Sequence, residues 1–536
     1  MDLPRNRTFA GLMDEMAERY GERNFLTDHV RRVSYKEFRD EVRHLAKALY
    51  KLGVRKDTKV ALIMGNQIEW LVIDFAVTLL GGVLVGVNTW WKKMELEHAL
   101  LSTDSSILIM VDQYLSNDYS QAMREIGDLS KALPQLKTIV GFGSDLLPDA
   151  MTFDALLQLA EGVDDASIDA LQKNVMPDDI AYLLFTSGST ARSKAVELTH
   201  RGCIENTHGI GERMYLTELD RMLMPTSMFW SLTCINGLFA VMTHGGSLVI
   251  LFKYDIHELF QTMEKECCTG IYTLPNIALA MHAYPHRNKF DLSAWRTGTV
   301  RSGLIHLMHE MGAHEMISGY GLTEGYGHSC DTDARAPLET KMRNAGKPLT
   351  GVALKIIDPD TKQTLPNGTA GEILLRGYIT PGYYKNPERT REVIDAEGWF
   401  HTGDVGVLEE DGSLTFRGRY KELIKTGGIN VVPVDVEDVL HSHPDVRQAV
   451  VVGLPDKERD EIVAAMVVAH IGKTIDIKDL LAHCKKSAAA FKIPRYILLV
   501  NDDEVPLTDT GKVHRGKTQE ILEKNYVASR TKSNVD

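Results

Sequence analysis

Ile180-Ala181-Tyr182-Leu183-Leu184-Phe185 runs directly into Thr186-Ser187-Gly188-Ser189-Thr190-Ala191-Arg192-Ser193-Lys194. A short apolar run closed by a hydroxyl-rich segment reads as a buried strand that delivers the chain into a polar loop. The loop holds five hydroxyls, one glycine and a lysine. Hydroxyls and free backbone N–H groups can wrap a polyphosphate, and lysine adds a compact positive charge. A Walker-type loop needs glycine immediately before its lysine, and Ser193 stands there instead. Read alone, the segment fits a phosphate cradle or a solvated Ser/Thr loop equally well.

Outward from this strand, helical and strand patterns alternate. Ser34 is suited to cap a helix that places Phe38, Val42, Leu45, Leu49 and Leu52 on one face. Residues 60–64, 107–111 and 247–251 read as further short apolar strands. The stretch from Trp70 to Val87 approaches the ~18 apolar residues of a membrane span. Asp74 interrupts it and Gly81-Gly82 breaks it, so a buried helix turning into a buried strand is the better reading. This pattern predicts an α/β fold with largely parallel, covered sheets.

From about Ala353 to Phe416 the pattern changes to short strands (354–357, 371–375, 413–416) between Gly, Pro, Asn and Asp turns. A small antiparallel β-barrel unit is expected there. After Tyr420 a smaller α+β region is expected, with strands at 448–452 and 462–469 and helices at 434–440 and 476–485. The expected division is an N-terminal domain over 1–420 and a C-terminal domain over 421–536, with a polar tail disordered from Ser529.

The 536 residues are three to four times the ~150 of a typical domain, which excludes one small module. With 60 basic against 73 acidic side chains the chain carries −13, so neither a nucleic-acid footprint nor a polybasic membrane anchor is expected. None of the six cysteines stands in a C-x-x-C pair, which argues against a zinc ribbon or a redox dithiol. The N-terminus lacks the apolar core of a signal peptide. No integral membrane segment and a reducing, cytoplasmic compartment are the expectations. No sequence feature specifies an oligomer.

Four more segments carry chemistry. Gly319-Tyr320-Gly321-Leu322-Thr323-Glu324 sets an aromatic face, a hydroxyl and a carboxylate in a glycine turn. Tyr320 could stack on a base, Thr323 bind a phosphate oxygen and Glu324 hold Mg²⁺. Gly398-Trp399-Phe400-His401-Thr402-Gly403-Asp404 presents a carboxylate suited to two ribose hydroxyls. Residues 416–428, from Phe416-Arg417-Gly418-Arg419-Tyr420-Lys421 to Lys425-Thr426-Gly427-Gly428, form a basic, glycine-terminated hairpin signature. Pro506-Leu507-Thr508-Asp509-Thr510-Gly511-Lys512 ends in a lysine on a turn. Singly, each also reads as an ordinary surface turn.

In this order and spacing, the five segments resemble the adenylate-forming superfamily of acyl-CoA synthetases, luciferases and peptide-synthetase adenylation domains. The pattern is most similar to the acyl-CoA synthetases, from the N-terminal helices to Lys512. The resemblance implies ATP, Mg²⁺ and CoA as cofactors and a small carboxylic acid as substrate. It places Thr186 to Lys194 on the β- and γ-phosphates, Tyr320 against adenine, Thr323 near the α-phosphate and Glu324 on Mg²⁺. Asp404 and Arg419 would hold the ribose, Lys421 would be the hinge of a mobile C-terminal domain, and Lys512 would bridge the acid and ATP during adenylation. After domain rotation, Lys425, Gly427 and Gly428 would face the site and admit a pantetheine arm.

The chain departs from the family pattern at several points. Ala191, Ser193 and Ala195 replace the glycines and proline usual around the loop lysine. Trp230 stands where many acyl-CoA synthetases carry histidine, and either gates the pocket or packs in the core. In Gly298-Thr299-Val300-Arg301-Ser302-Gly303-Leu304, Arg301 replaces a small residue and would favour a second polar or anionic group on the substrate, a surface salt bridge being the alternative. Gly303 and Gly325 line the same expected pocket, which continues through Gly325-Tyr326-Gly327-His328-Ser329-Cys330 and is polar. A small polar or aromatic acid is therefore favoured over a long-chain one. His306, His309, His314 and Glu310 are one residue off a zincin spacing and read as an amphipathic helix.

The leading reading is an ATP-dependent acid–CoA ligase. Its alternatives are adenylation with a carrier-protein or amine acceptor, a nitrite-activating diazo-forming enzyme, and a non-catalytic nucleotide-binding relative.

Overall fold

The computed structural model describes residues 2–186, 193–427, 429–456, 458–470, 472–507 and 513–533. Two compact units emerge: residues 1–354, 375–400 and 412–414 form one, and residues 355–374, 401–411 and 415–536 the other.

The strand Ile180–Thr186 lies inside a seven-stranded sheet of the first unit. The order is Lys194–Thr199, Ile180–Thr186, Val83–Gly86, Lys59–Ile63, Ile107–Val111, Thr138–Phe142, Met151–Thr152. All neighbours pair in parallel except Lys194–Thr199, which returns antiparallel to Ile180–Thr186 and brings Lys194 opposite Thr186. A second seven-stranded sheet runs Glu315–Ile317, Thr297–Thr299, Gly270–Tyr272, Arg221–Met224, Ser247–Ile250, Asn24–Thr27, Arg32–Ser34, antiparallel only at its last pair. A three-stranded sheet, Gly319–Leu322, Gly327–Asp331 and Lys347–Pro348, carries the glycine turn that includes Glu324.

Helices cover these sheets, as the apolar strands require. The expected helix over Phe38 to Leu49 spans Tyr35–Lys51; the Ser34 hydroxyl accepts from Glu37 N, and Glu37 in turn accepts from Ser34 N. The near-membrane hydropathy of Trp70 to Val87 resolves into the helix Ile68–Leu79, buried except at Glu69, and the buried strand Val83–Gly86. Among the described residues no helix is long and apolar enough to cross a membrane.

Asp74 sits in that interior helix with no solvent exposure. Its Oδ2 accepts from the Tyr182 hydroxyl at 2.5 Å, and burial pushes its carboxyl pKa well above the ordinary range. A pKa raised in the folded state favours folding fully below the unfolded carboxyl pKa, and that contribution is lost as pH rises toward the folded value. Asp74→Asn keeps the shape and an acceptor for Tyr182 while removing the proton uptake. Urea unfolding is expected to show the variant gaining on the parent as pH rises above about 5, by up to ~1.4 kcal/mol per pH unit until the folded-state pKa is reached. A constant gap across that range would contradict an uncharged Asp74.

The four-stranded sheet Ala353–Ile357, Ala370–Arg376, Phe400–Leu408, Leu414–Arg419 corresponds to the expected β unit. Compactness groups most of its residues with the C-terminal ones, whereas the sequence reading counts them with 1–420. Grouping by contact and division at a hinge are different criteria, so a boundary at 420/421 concerns movement and stands as a proposal. The second unit also holds a five-stranded sheet: Ile429–Val431, Ile424–Thr426, Asp460–Ala469 and Val446–Asp456 in order, with Tyr496–Val500 parallel to Asp460–Ala469. The helices Pro433–His441 and Ile477–Ser487 pack there much as the sequence predicted.

The last helix spans Arg515–Ser533 and so includes the start of the stretch expected to be a disordered tail from Ser529. Polar composition signalled disorder, but residues 515–533 contain no proline and only one glycine, Gly516, near the start, so nothing breaks the helix.

Candidate functional site

The antiparallel return of Lys194–Thr199 places the two ends of the hydroxyl loop side by side, with Thr186 opposite Lys194. Ser187, Gly188, Ser189, Thr190, Ala191 and Arg192 lie outside the described residues. The Lys194 ammonium stands 5.9 Å from the centre of the Tyr383 ring, at the outer limit of a cation–π contact. The Tyr383 hydroxyl donates to Glu324 Oε1 at 2.8 Å, and Glu324 O accepts from Thr380 N at 2.6 Å. Burial and the Glu324 carboxylate push the Tyr383 phenol far above its usual pKa, so it remains a donor. Lys194 and Glu324, 130 residues apart in sequence, thus meet through a tyrosine that the sequence reading did not single out.

Glu324 follows the strand Gly319–Leu322 in a short 3₁₀ turn, Thr323–Gly325. Tyr326, in the left-handed region at φ 59°, ends that turn and anchors it. Its hydroxyl contacts Thr199 N at 3.2 Å and Thr199 Oγ1 at 2.9 Å, and its ring lies where a Cβ on Gly202 would come within 2.1 Å. Thr199 in turn caps the helix His200–Met214. Asn236 Nδ2 donates to Tyr326 O at 3.0 Å, and Asn206 Nδ2 to His328 O at 2.7 Å. The turn is therefore fixed from several sides while Glu324 stays only slightly exposed.

Gly321 is exposed and pairs with His328 across the hairpin. A Cβ there would stand 1.7 Å from Gly327 O, a backbone atom that cannot swing away. Gly321→Ala is expected to open the hairpin, cost ~1–3 kcal/mol of stability and lower ATP-dependent activity at least ~10-fold. Thermal unfolding and kcat/KM for ATP check this; parental values for both would contradict it.

The Thr323 hydroxyl lies 3.4 Å from Ser231 Oγ, next to Trp230. Trp230, Trp90 and Phe229 form a three-ring cluster with centroids 5.0 to 5.5 Å apart, and the Trp230 side of it is half-buried. On the hairpin, His328 Nδ1 and Asp331 Oδ1 are 2.8 Å apart above Gly319, whose missing side chain makes their room. Burial works against an imidazolium, yet Asp331 holds the His328 pKa above its ordinary value. Gly325 is buried against Ser329, Tyr320 is buried and pairs in register with Cys330, and Gly303 is open to solvent. Arg301 is exposed, and among the described residues its guanidinium has no carboxylate partner.

In the second unit Asp404, mostly buried, lies 3.4 Å from the Nε of the more exposed Arg419. Asp404 N donates to Thr402 Oγ1 at 3.0 Å. Lys421 is exposed in the short turn Tyr420–Glu422; Lys425 is exposed in the following strand, with its backbone N donating to Glu461 Oε2 at 2.6 Å. Gly427 turns at φ 58° and its N donates to Arg459 O. Gly428 and Lys512 lie outside the described residues.

A hard cation that keeps its waters needs only one or two carboxylates from the protein. Glu324 fits that need, with one oxygen oriented by Tyr383. The histidines 306, 309 and 314 do not form a metal cluster among the described residues. His306 and His309 fall on the helix Ile305–Glu310, and Glu310 pairs with His282.

Comparison with known proteins identifies the family. The model of the AMP-binding enzyme family matches residues 13–384, and that of the AMP-binding enzyme C-terminal domain matches residues 435–512. YngI of Bacillus subtilis (strain 168), provisionally named an acyl-CoA synthetase, is 32% identical over 532 residues, covering 96% of each chain. The mitochondrial medium-chain acyl-CoA ligase of Danio rerio is 30% identical over 533 residues, covering 95% of this chain and 87% of that one. The crystal structure of the anthranilate CoA ligase AuaEII with anthranoyl-AMP superimposes with a TM-score of 0.86 at 25% identity, over 98% of this chain and 99% of the other.

Proposed function

The chain belongs to the AMP-binding enzyme family, within the adenylate-forming superfamily, and is an AMP-forming acid–CoA ligase; on that premise we propose that its acid is small and polar or aromatic. A carboxylate is a poor electrophile because its oxygen leaves poorly. One carboxylate oxygen attacks the α-phosphorus of ATP, the bond to the bridging oxygen breaks, and pyrophosphate departs. The CoA thiolate then attacks the acyl carbon and AMP leaves with the bridging oxygen. Both reactants of the first step are anions, so the protein's work is positioning and charge neutralisation.

In this reading Thr186 and the loop after it hold the β- and γ-phosphates, with Lys194 at its exit. Tyr320 lies against adenine, and Thr323 donates to the α-phosphate. Asp404 and Arg419 bind the ribose. Mg²⁺, when bound, offsets triphosphate charge, and Glu324 would hold it. Lys512 neutralises the acid–ATP pair, and Lys421 is the hinge that exchanges Lys512 for Lys425, Gly427 and Gly428 before thiol attack. Six thiols and no disulfide suit the cytoplasm as the compartment.

The observation that carries the substrate class is the aromatic cluster of Trp90, Phe229 and Trp230 beside Ser231 and Thr323. Two indoles at that corner shorten the room for an alkyl chain and offer faces to an aromatic ring. The His328–Asp331 pair and Arg301 add polar groups on neighbouring segments. The Danio rerio relative is named for medium-chain acids, so the discriminating experiment is a panel of aryl, alkenyl, dicarboxylic and medium-chain acids, with nitrite included, read by CoA consumption and AMP release. An aryl or short polar acid is expected to give the highest kcat/KM. Preference for an eight- to ten-carbon alkanoate would overturn the substrate class. AMP release without CoA consumption would redirect the acceptor to an amine or a carrier protein.

A further inference from the structure

Ligands of parallel sheets sit in the crevice beyond the carboxyl ends of the strands. In the second seven-stranded sheet, Arg221–Met224, Gly270–Tyr272, Thr297–Thr299 and Glu315–Ile317 are successive parallel neighbours, so all four end on the same side. Beyond Met224 the chain reaches Trp230, beyond Thr299 it reaches Arg301, and beyond Ile317 it reaches Gly319. Thr299 pairs with Ile317, and Val300 N still donates to Ile317 O at 3.0 Å. Arg301 and Gly319 therefore leave neighbouring strand ends together.

Gly319 is also where His328 enters. The hairpin pairs Gly319 with Asp331 and Gly321 with His328. A Cβ on Gly319 would stand 2.2 Å from Asp331 Oδ1 and 2.6 Å from His328 Nδ1, so glycine is what leaves room for the two side chains. His328 Nδ1 faces Asp331 Oδ1 at 2.8 Å; a carboxylate only accepts, so Nδ1 carries a hydrogen. The Asp331 side chain has no exposure and holds the ring in one orientation, while 15% of the His328 side chain is open. Nε2 has no hydrogen-bond partner among the described residues. A buried ion pair adds little to stability over an apolar pair of similar volume, so packing alone does not account for these two residues beside the crevice.

We infer that His328 is a specificity residue whose Nε2 donates to a second oxygen on the acid, remote from the carboxylate that is activated, with Asp331 as its positioning residue. The inference rests on the proposed small polar or aromatic acid and narrows it to acids that carry a hydroxyl or a second carboxylate. Burial disfavours a charged ring, but the Asp331 carboxylate outweighs it and raises the His328 pKa above its ordinary value, so Nε2 carries a hydrogen to donate. Arg301, exposed at the neighbouring strand end, adds a positive charge that favours an oxygen acceptor on the same side of the sheet. Trp230, beyond the end of Arg221–Met224, supplies an aromatic face to the rest of the molecule.

The test compares matched acids that differ by one oxygen-bearing group: benzoate against its hydroxy- and carboxy-substituted forms, and butanoate against succinate. The full chain is assayed with ATP and CoA, and kcat/KM is read from AMP release. At least one substituted acid is expected to exceed its plain partner by ~10–100-fold, the span of one hydrogen bond to a charged group. Two variants separate recognition from packing. His328→Asn keeps a donor near Nδ1 for Asp331 and loses Nε2; it is expected to melt near the parent while the ratio falls at least ~10-fold. His328→Gln sets its donor near Nε2 and is expected to keep part of the preference. A His328→Asn chain with the parental ratio, or a parent that treats both members of every pair alike, would overturn the inference and leave a preference for small aryl acids standing. A parent that favours an eight- to ten-carbon alkanoate over all of these acids would instead remove the reading on which the inference rests.

Discussion

A Lys512→Ala chain is expected to lose acid-dependent ATP–pyrophosphate exchange by at least ~10²–10³-fold, while still forming thioester from a supplied acyl-adenylate and CoA. The asymmetry follows from charge. In the first half-reaction an anionic carboxylate approaches an anionic triphosphate, and a lysine between them stabilises the transition state more than either ground state. In the second, pyrophosphate has gone and the acyl carbon is already activated, so that ammonium has much less to offset. Lys512 is assigned from the ordered motifs alone, as the lysine ending Pro506 to Lys512. Equal loss in both half-reactions would defeat the division of labour; parental exchange would remove Lys512 from the chemistry.

Glu324→Gln is expected to reduce adenylation by ~10²-fold or more without a comparable loss of stability. Glutamine is nearly isosteric, and its carbonyl can still accept from Tyr383, the contact that orients Glu324 Oε1 at 2.8 Å. What disappears is the negative charge needed to hold a hard cation. The loss should ease with rising Mg²⁺ concentration. Tyr383→Phe separates orientation from charge: it removes one hydrogen bond to a charged group, worth ~1.5–3 kcal/mol, and so should cost about 10–100-fold. A Glu324→Gln enzyme with parental rate and Mg²⁺ dependence would exclude Glu324 from the metal site.

Much of the fold was legible where one physical signal dominates. The strand Ile180–Thr186 and its parallel neighbours announced themselves as short apolar runs because both sheet faces are covered. Ser34 with Glu37 marked the start of a helix through their own hydrogen bonds. The reach of the last helix to Ser533 was not legible, since a polar stretch without apolar periodicity carries no helix signal of its own.

The candidate site was legible in its motifs but not in its wiring. Tyr383, 59 residues from Glu324, lies in a glycine- and proline-bordered turn with no chemical signature of its own. Only the pairing of Lys194–Thr199 against its neighbours brings that turn alongside. Trp230 could be placed beside the Thr323 hydroxyl only once Ser231 was seen against it.

The most direct test of an acyl-adenylate pathway is ATP–pyrophosphate exchange measured with the preferred acid and no CoA. Exchange is expected to depend on the acid, to proceed without CoA and to disappear in Lys512→Ala. Exchange that requires CoA, or ADP and phosphate as products in place of AMP and pyrophosphate, would contradict that pathway.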